Sequence, residues 1–525
     1  MSQVKDNTGI SLIEKGQKGM ISAVFSRLGL IILLLLIQIV FLVGAFIWCE
    51  DFLPHIYSIT VVFSVVMVVY LLNSRTDPTA KITWLMIILL LPLFGALLYF
   101  YTKADIGHRA LNKKVSALIT ETRESIPQSQ EVLDSLKTVS PGTAGLVRYI
   151  NRSGCYPVYN NTDVTYFPLG EDKFEELLKQ LEQAEKFIFL EYFIVNEGVM
   201  WGRVLEILAR KAAQGVDVRM MYDGTCEFST LPHDYPKRLQ NLGIKCKMFA
   251  PITPFVSTHY NYRDHRKILV IDGHTAFTGG INLADEYINL NNKYGHWKDT
   301  AVMVKGDAVR SFTLMFLQMW FLDEKTVDFD TFLSVPTNPI ENAPGYVIPY
   351  GDCPLDGDKV GEHVYIDMLN RAKRYVHIMT PYLILDGEME DAIKFAAERG
   401  VDVRIILPGI PDKKIPYALA LTHYRSLLES GVKLYEYTPG FVHAKVFVCD
   451  DIEAVVGTIN LDYRSLYHHF ECATYMYGVN CIAEIESDYV ETERKCRTVT
   501  PQTIRKEKPS RILMGILMKG IAPLL

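Results

Sequence analysis

In the stretch "FVHAKVFVCDDIEAVVGTIN", residues 441–460, a histidine and a lysine stand two positions apart at the head of an apolar run. A second stretch, "DHRKILVIDGHTAFTGGIN" at 264–282, has the same layout. His265, Lys267, Asp272, Gly279 and Asn282 correspond to His443, Lys445, Asp450, Gly457 and Asn460, and each pair is 178 residues apart, as 443 is from 265. Five residue types matched at one separation do not recur by chance in a chain of 525 residues. In a strand, residues i and i+2 share a face, so each histidine is expected beside its lysine with the apolar residues packed behind. Lysines are fixed cations and asparagine amides are neutral donors, a poor set for a metal, so no metal and no other cofactor is expected. The group that suits them is a phosphate, with its charged oxygens and the further charge of a pentavalent transition state. Two histidines on opposite sides of one phosphorus can divide the work of a phosphodiester exchange. One attacks as a neutral imidazole; the other protonates the leaving alkoxide and then takes the proton of the incoming hydroxyl.

The elements around these residues also occur twice. "EKFIFLEYFIV", "MWGRVLEILARKAAQG" and "VDVRMMYDG" read as strand, helix and strand, and so do "KRYVHIMTPYLI", "GEMEDAIKFAAERG" and "VDVRIILPG". A helix ended by glycine between two strands is a βαβ unit, which needs a parallel or mixed sheet covered by helices. The fold class expected is therefore α/β, two tandem domains with a mixed sheet each, related by a pseudo-twofold axis after an N-terminal helical membrane region. The linker between the domains is expected near 325–350, a Pro- and Asn-rich stretch. The boundaries that follow are 1–27 for an N-terminal segment, 28–101 for the membrane region, 102–140 for a connector, 141–330 and 331–493 for the two domains, and 494–525 for a basic tail.

Hydrophobic content of 49% is high for a soluble enzyme, and the excess lies in three runs at about 28–49, 56–72 and 82–101. Each approaches the roughly 20 residues that cross a bilayer. Lys15, Lys18 and Arg27 before the first run, with Arg75 and Lys81 in the second loop, place the N-terminus and that loop in the cytoplasm. Pro92 and Gly95 allow the third run to bend back, and the basic residues after it favour catalytic domains on the cytoplasmic side of a cell membrane. Nine cysteines without a CxxC pair argue against a disulfide framework or a zinc site. The net charge of −6 hides a basic tail: residues 494–525 hold eight Lys or Arg against one acid, Glu507. Its segment "RILMGILMKGIAPLL" reads as an amphipathic helix for an anionic membrane, the alternative being a terminal helix packed on the core.

The paired HxKxxxxD motif, each followed by GGxN or GTxN, is the signature of the phospholipase D superfamily. With the membrane runs, "TPYLILD", "NLDYRS" and the terminal "PLL", the chain from residue 28 onward resembles the bacterial cardiolipin synthase family within it. The resemblance implies a phosphatidyl group passed from one phosphatidylglycerol to another, giving cardiolipin and glycerol through a phosphohistidine. A hydrolase, or a transferase to another alcohol, is the alternative. It further implies His265 as nucleophile and His443 as acid and then base, with Asp272 and Asp450 as the remaining signature residues and a structural role at the strand end as their other reading. Lys267, Lys445, Asn282 and Asn460 become phosphate ligands, and Asp299 and Glu471 the carboxylates that orient the histidines. His259, His423, His468 and His469 are expected to be structural or surface residues. A nuclease is disfavoured, because a nucleic-acid groove should be broadly basic and this chain is acidic with apolar runs. The partners implied are phosphatidylglycerol, cardiolipin and the anionic membrane.

Overall fold

The computed structural model describes residues 57–74, 76–90, 106–251, 262–324 and 326–524, together with positions 40, 43, 44, 95, 96 and 98–100. The first apolar run, 28–49, lies outside the described residues apart from three isolated positions. Among the described residues, eighteen strands form two mixed sheets and a short interdomain pair.

The first sheet is built from β1 (Thr162–Phe167), β2 (Phe187–Tyr192), β3 (Asp217–Asp223), β4 (Lys245–Phe249), β6 (Lys267–Ile271), β7 (Thr275–Gly279) and β9 (Ala301–Gly306), in the order β1-β9-β7-β6-β2-β3-β4. The second is built from β10 (Tyr346–Asp352), β11 (Tyr375–Met379), β12 (Asp402–Pro408), β13 (Lys433–Tyr437), β15 (Val446–Cys449), β16 (Glu453–Gly457), β17 (His469–Tyr477) and β18 (Cys496–Thr498). Its order, β10-β17-β16-β15-β11-β12-β13-β18, repeats that of the first sheet and adds β18 at the edge. In both, the first four pairings are antiparallel and the next two parallel. The parallel strands are joined through the helices Val199–Ala213 and Gly387–Glu398, the crossovers expected of the two βαβ units. The central strands are buried on both faces, which is why they read as near-continuous apolar runs.

The His-Lys segments are not single strands, as period-two reasoning expects. β5 (Arg263–Asp264) ends before His265 and β6 begins at Lys267; β14 (Gly440–Val442) ends before His443 and β15 begins at Val446. The short strand before each histidine belongs to the other domain: β5 runs parallel to β17, and β14 runs parallel to β8 (His296–Lys298). At the histidine the chain changes partners and enters its own sheet. The N–H of His265 donates to the Phe470 carbonyl at 2.9 Å, and that of His443 to the Lys298 carbonyl at 2.7 Å.

Two features beyond the sheets bear on function. The helices Tyr57–Leu72 and Pro78–Leu90 pack through Met67, Leu71, Trp84 and Ile88, and leave Val65, Val69, Ile82, Leu89 and Leu90 exposed. Among the described residues no helix is long and apolar enough to cross a membrane. The C-terminal helix Pro509–Lys519 is no free tail. Gly515 abuts the helix Lys414–Glu429 so closely that a Cβ would lie 2.2 Å from the Ala418 carbonyl oxygen. Leu513, Ile516 and Leu517 on the same helix are 56%, 60% and 66% exposed. Thr83 donates to the Gly520 carbonyl at 2.8 Å, so this end of the chain also holds the N-terminal helix pair.

Asp272 and Asp450, counted with the catalytic signature, instead fill their other reading, a structural role at the strand end. Each lies past the far end of its strand in a left-handed conformation, φ 51° and 54°. Asp272 accepts from the N–H groups of Glu185, Lys186 and Phe187 at 2.7, 2.7 and 2.8 Å; Asp450 accepts from Lys373, Arg374 and Tyr375 at 2.7, 2.8 and 2.9 Å. They tie the turn after the motif strand to the start of β2 or β11. Asp272→Ala leaves three backbone donors without their acceptor and strains the left-handed position, and is expected to cost about 3 kcal/mol. Asp272→Asn, which keeps one oxygen and tolerates that backbone, should cost less. Urea unfolding of the full chain in detergent measures both.

Candidate active site

The partner exchange decides which carboxylate meets which histidine. Nδ1 of His265 lies 2.9 and 3.0 Å from the two carboxylate oxygens of Glu471, on β17 of the second domain. Nδ1 of His443 lies 2.7 Å from Oδ2 of Asp299, which follows β8 in the first domain. Both carboxylates expected from the sequence do orient histidines, and they do so crosswise. Neither domain holds a complete pair. Gly280 makes room for this: a Cβ there would fall 2.0 Å from Oδ1 of Asp299. Thr300 donates its N–H to that Oδ1 at 2.8 Å, and the Thr458 hydroxyl donates to Glu471.

The two pairs belong to one buried centre. His265, His443, Lys267, Lys445, Asp299 and Glu471 are all buried. Lys267 of the first domain acts electrostatically on both His443 and Lys445 of the second. Burial, opposed by Glu471, drives the His265 imidazole well below its ordinary pKa. Burial together with Lys445 brings His443 down to about 4, against the pull of Asp299. Burial alone would lift the two carboxyls. His443 and Lys445 outweigh it for Asp299, and His265 does so for Glu471, so both stay below the usual carboxylate range. A carboxylate can only accept, so each imidazole carries its proton on Nδ1 and presents the Nε2 lone pair away from its partner. Burial lowers Lys267 to about 8 and Lys445 to about 7. Each ammonium donates to the backbone carbonyl of the histidine two residues before it, which fixes it beside that imidazole.

The asparagines behave differently. Asn282 is engaged on both ends of its amide, accepting from the Ile194 N–H at 3.0 Å and donating to the Tyr287 hydroxyl at 2.7 Å. Asn460 is buried, and its Oδ1 has no hydrogen-bond partner among the described residues. Sequence reasoning overlooked Lys173, a buried cation that donates to the Tyr192 hydroxyl at 3.3 Å and feels both Asp299 and Lys267. Burial lowers it to about 7, and nothing in its helical surroundings marks it. The sequence also sets His469 aside as structural, yet its ring centroid is 5.3 Å from that of His265. The signal was there in the two-residue spacing from Glu471 along one strand, which puts both on one face. His423, by contrast, pairs with Glu390 at 2.7 Å away from the centre, and His259 lies outside the described residues. Atoms of His265, His469 and Glu471 lie within 4.8 Å of one another, as metal ligands would, but His265 Nδ1 and Glu471 are hydrogen-bonded to each other.

Comparison with known proteins follows the same lines. The crystal structure of phosphatidylserine synthase from Haemophilus influenzae superposes with a TM-score of 0.51 at 17% identity, covering 68% of this chain and 95% of that one. The shared fold and the doubled motif define a two-domain phospholipase D-like protein. The family described as "Cardiolipin synthase, PLD-like domain" matches residues 177–320 and 365–491, and one described as "Phospholipase_D-nuclease N-terminal" matches 62–102. A cardiolipin synthase of Alkalihalophilus pseudofirmus is 33% identical over 84% of this chain and 88% of its own length. An uncharacterized protein of Streptococcus mutans is 60% identical over 87% of this chain and 99% of its own. The chain belongs to the cardiolipin synthase family of phospholipase D-like proteins.

Two outcomes follow from the site. Glu471→Gln keeps the shape but removes the charge that fixes the His265 tautomer and supports its imidazolium; kcat for lipid turnover should fall at least 100-fold with KM nearly unchanged. Lys445 and Lys267 are cationic only below their depressed pKa values, about 7 and 8, so kcat/KM should decline as pH rises through that interval. In Lys445→Arg, whose cation does not titrate there, the decline should move to higher pH. Steady-state assays from pH 5 to 10 check both.

Proposed function

We propose that this chain is a cardiolipin synthase, a phosphatidyltransferase that converts two phosphatidylglycerol molecules to cardiolipin and glycerol. The observation that carries this reading is the pair of imidazoles, each with its Nδ1–H held by a carboxylate of the other domain and both flanked by Lys267 and Lys445. Following the superfamily resemblance, Nε2 of His265 attacks the phosphorus, and the bond from phosphorus to the glycerol oxygen breaks as His443 protonates that oxygen. The phosphatidyl group is then held on His265. His443 takes the proton of a second phosphatidylglycerol's terminal hydroxyl, whose oxygen attacks phosphorus and releases the His265 nitrogen. One phosphodiester replaces another, so the exchange is close to energy-neutral. Lys267, Lys445 and Asn460 serve the non-bridging oxygens. Asn282, already bonded at both ends of its amide, serves by holding the loop at Ile194.

The same proposal extends to the domains and their place in the cell. Domains at 141–330 and 331–493 would work beside a membrane region at 28–101, on the cytoplasmic face of a bacterial cell membrane. The exposed apolar side chains of the N-terminal helix pair support a seat in lipid. So does the C-terminal helix, where exposed Leu513, Ile516 and Leu517 stand near Arg505, Lys506 and Lys508, the composition of a helix lying on an anionic surface.

The test is incubation of the full-length protein with phosphatidylglycerol vesicles in EDTA, read by lipid mass spectrometry. Cardiolipin with equimolar glycerol is expected, and both products should vanish in His265→Ala and in His443→Ala. Phosphatidic acid as the sole product would replace the transferase reading with a hydrolase. A double replacement, Ile516→Glu with Leu517→Glu, should weaken flotation with phosphatidylglycerol vesicles at least 10-fold while preserving turnover in detergent micelles.

A further inference from the structure

The two halves of the centre match closely enough for a mismatch between them to be informative. Two residues before Glu471, His469 stacks near His265 with ring centroids 5.3 Å apart and planes tilted by 38°. Two residues before Asp299, Trp297 stands against His443 at 5.4 Å and 40°. The placement is the same and the chemistry differs. An indole has a single donor and no acceptor, whereas an imidazole has both. Trp297 is closed in by aromatic rings, with Tyr287 and Phe441 at 5.0 and 4.8 Å.

His469 instead borders a cavity of about 330 Å³, which Asp77, Asp352, Asp358, Lys359 and Tyr467 also line. It is 94% buried, being 6% exposed, and neither ring nitrogen has a hydrogen-bond partner among the described residues. Its Nδ1 is 3.7 Å from Oε1 of Glu471, beyond hydrogen-bond reach but close enough for the carboxylate to favour the proton on that nitrogen. Nε2 is then an acceptor without a donor. A buried polar atom left in this state is destabilising unless something arrives to satisfy it. Of the rest of the lining, Asp352 is raised to about 8 by burial and so is protonated at neutral pH, which leaves the Asp77 and Asp358 carboxylates against one ammonium, Lys359. Such a wall carries no excess of cations for a phosphate and suits a group that brings hydroxyl protons.

We propose that His469 and this cavity form a subsite for the free hydroxyls of a glycerol head group, with Nε2 of His469 accepting from one of them. The subsite makes the cleft selective for hydroxylated phospholipids. The proposal rests on the lipid-exchange reading above and adds to it the group that distinguishes phosphatidylglycerol from other phosphodiesters. The glycerol belongs either to the lipid that gives up its phosphatidyl group or to the lipid that receives it.

The experiment uses full-length wild type, His469→Phe, which keeps a ring but no ring nitrogen, and His469→Asn, which restores an acceptor. Consumption of phosphatidylglycerol is compared with that of phosphatidylmethanol, whose head lacks a hydroxyl, and capture of the phosphatidyl group by glycerol is compared with capture by ethanol. The wild type should prefer the hydroxylated partner in at least one comparison. His469→Phe should reduce that preference roughly 10-fold, the worth of one hydrogen bond to a buried acceptor, and His469→Asn should recover most of it. Loss in the first comparison assigns the subsite to the donor lipid, and loss in the second assigns it to the acceptor. Unchanged ratios in His469→Phe, whatever its absolute rate, overturn the proposal, and so does an equal loss on hydroxylated and plain partners. The products report separately on the underlying reaction, because phosphatidic acid without cardiolipin would count against the synthase while leaving the selectivity measurable.

Discussion

The structure depends on a pair of buried hydrogen bonds that cross between domains: Glu471 to His265 and Asp299 to His443. A carboxylate with no counter-charge in this interior would take up a proton and lose its purpose. Here each one is kept ionised by groups the opposite domain supplies. The short pairings of β5 with β17 and of β14 with β8 bring the backbones together so that these bonds form at 2.7–3.0 Å. One buried core joins Phe189, Ile268 and Val302 of the first sheet to Val376, Val446 and Tyr475 of the second, and neither domain alone would hold an imidazole in a defined tautomer. Packing the domains and assembling the site are therefore one event.

The same crowding sets the charge of the centre. Two lysines, two carboxylates and two neutral imidazoles are close to balanced, and burial has already lowered Lys267 to about 8 and Lys445 to about 7. An arriving phosphodiester brings the negative charge that such depressed ammonium groups lack. Its binding favours their protonated form, just as it favours protonation of the histidine that must act as acid. The cost of holding cations out of water is thus offset when the substrate is present, and most of all when charge builds on the phosphorus oxygens. An empty site of this kind is held ready by its surroundings, with its histidines neutral and oriented.

Much of this was legible in the residues. The matched separation of 178 residues gave the duplication, and the βαβ patterns gave the parallel strands that β2, β3, β11 and β12 became. Asp299 and Glu471 were named as orienting carboxylates through the family resemblance, and each is hydrogen-bonded to a histidine. What could not be read was their crosswise use, since a strand only two or three residues long has no periodicity and its partner lies some 150–200 residues away. For the same reason His265 and His443 looked like members of continuous strands. Asp272 and Asp450 carry the same spacing signal as the histidines, but their place at the strand end already suggested a role holding the turn, and the three backbone N–H groups around each bear that reading out. Lys173 gave no signal, because a lysine in an amphipathic helix looks like any solvated one until its burial is known.

The N-terminal helix pair and the C-terminal segment connect to the centre by contacts that sequence could not foresee. Asp77 caps the helix Pro78–Leu90 through the N–H groups of Thr79 and Ala80, and its other oxygen faces the Tyr467 hydroxyl at 3.4 Å. Tyr467 donates in turn to Asp386 and receives from Lys359 at 2.8 Å. Near the other terminus, the carbonyl of Pro523 lies 3.3 Å from Nε2 of His468, the neighbour of His469. The loop between the N-terminal helices and the last residues of the chain thus converge on the segment 467–469, two residues ahead of Glu471. Any shift in how these elements sit would be passed along β17 to the carboxylate that orients His265, because that strand is paired on both sides and has little freedom to absorb it.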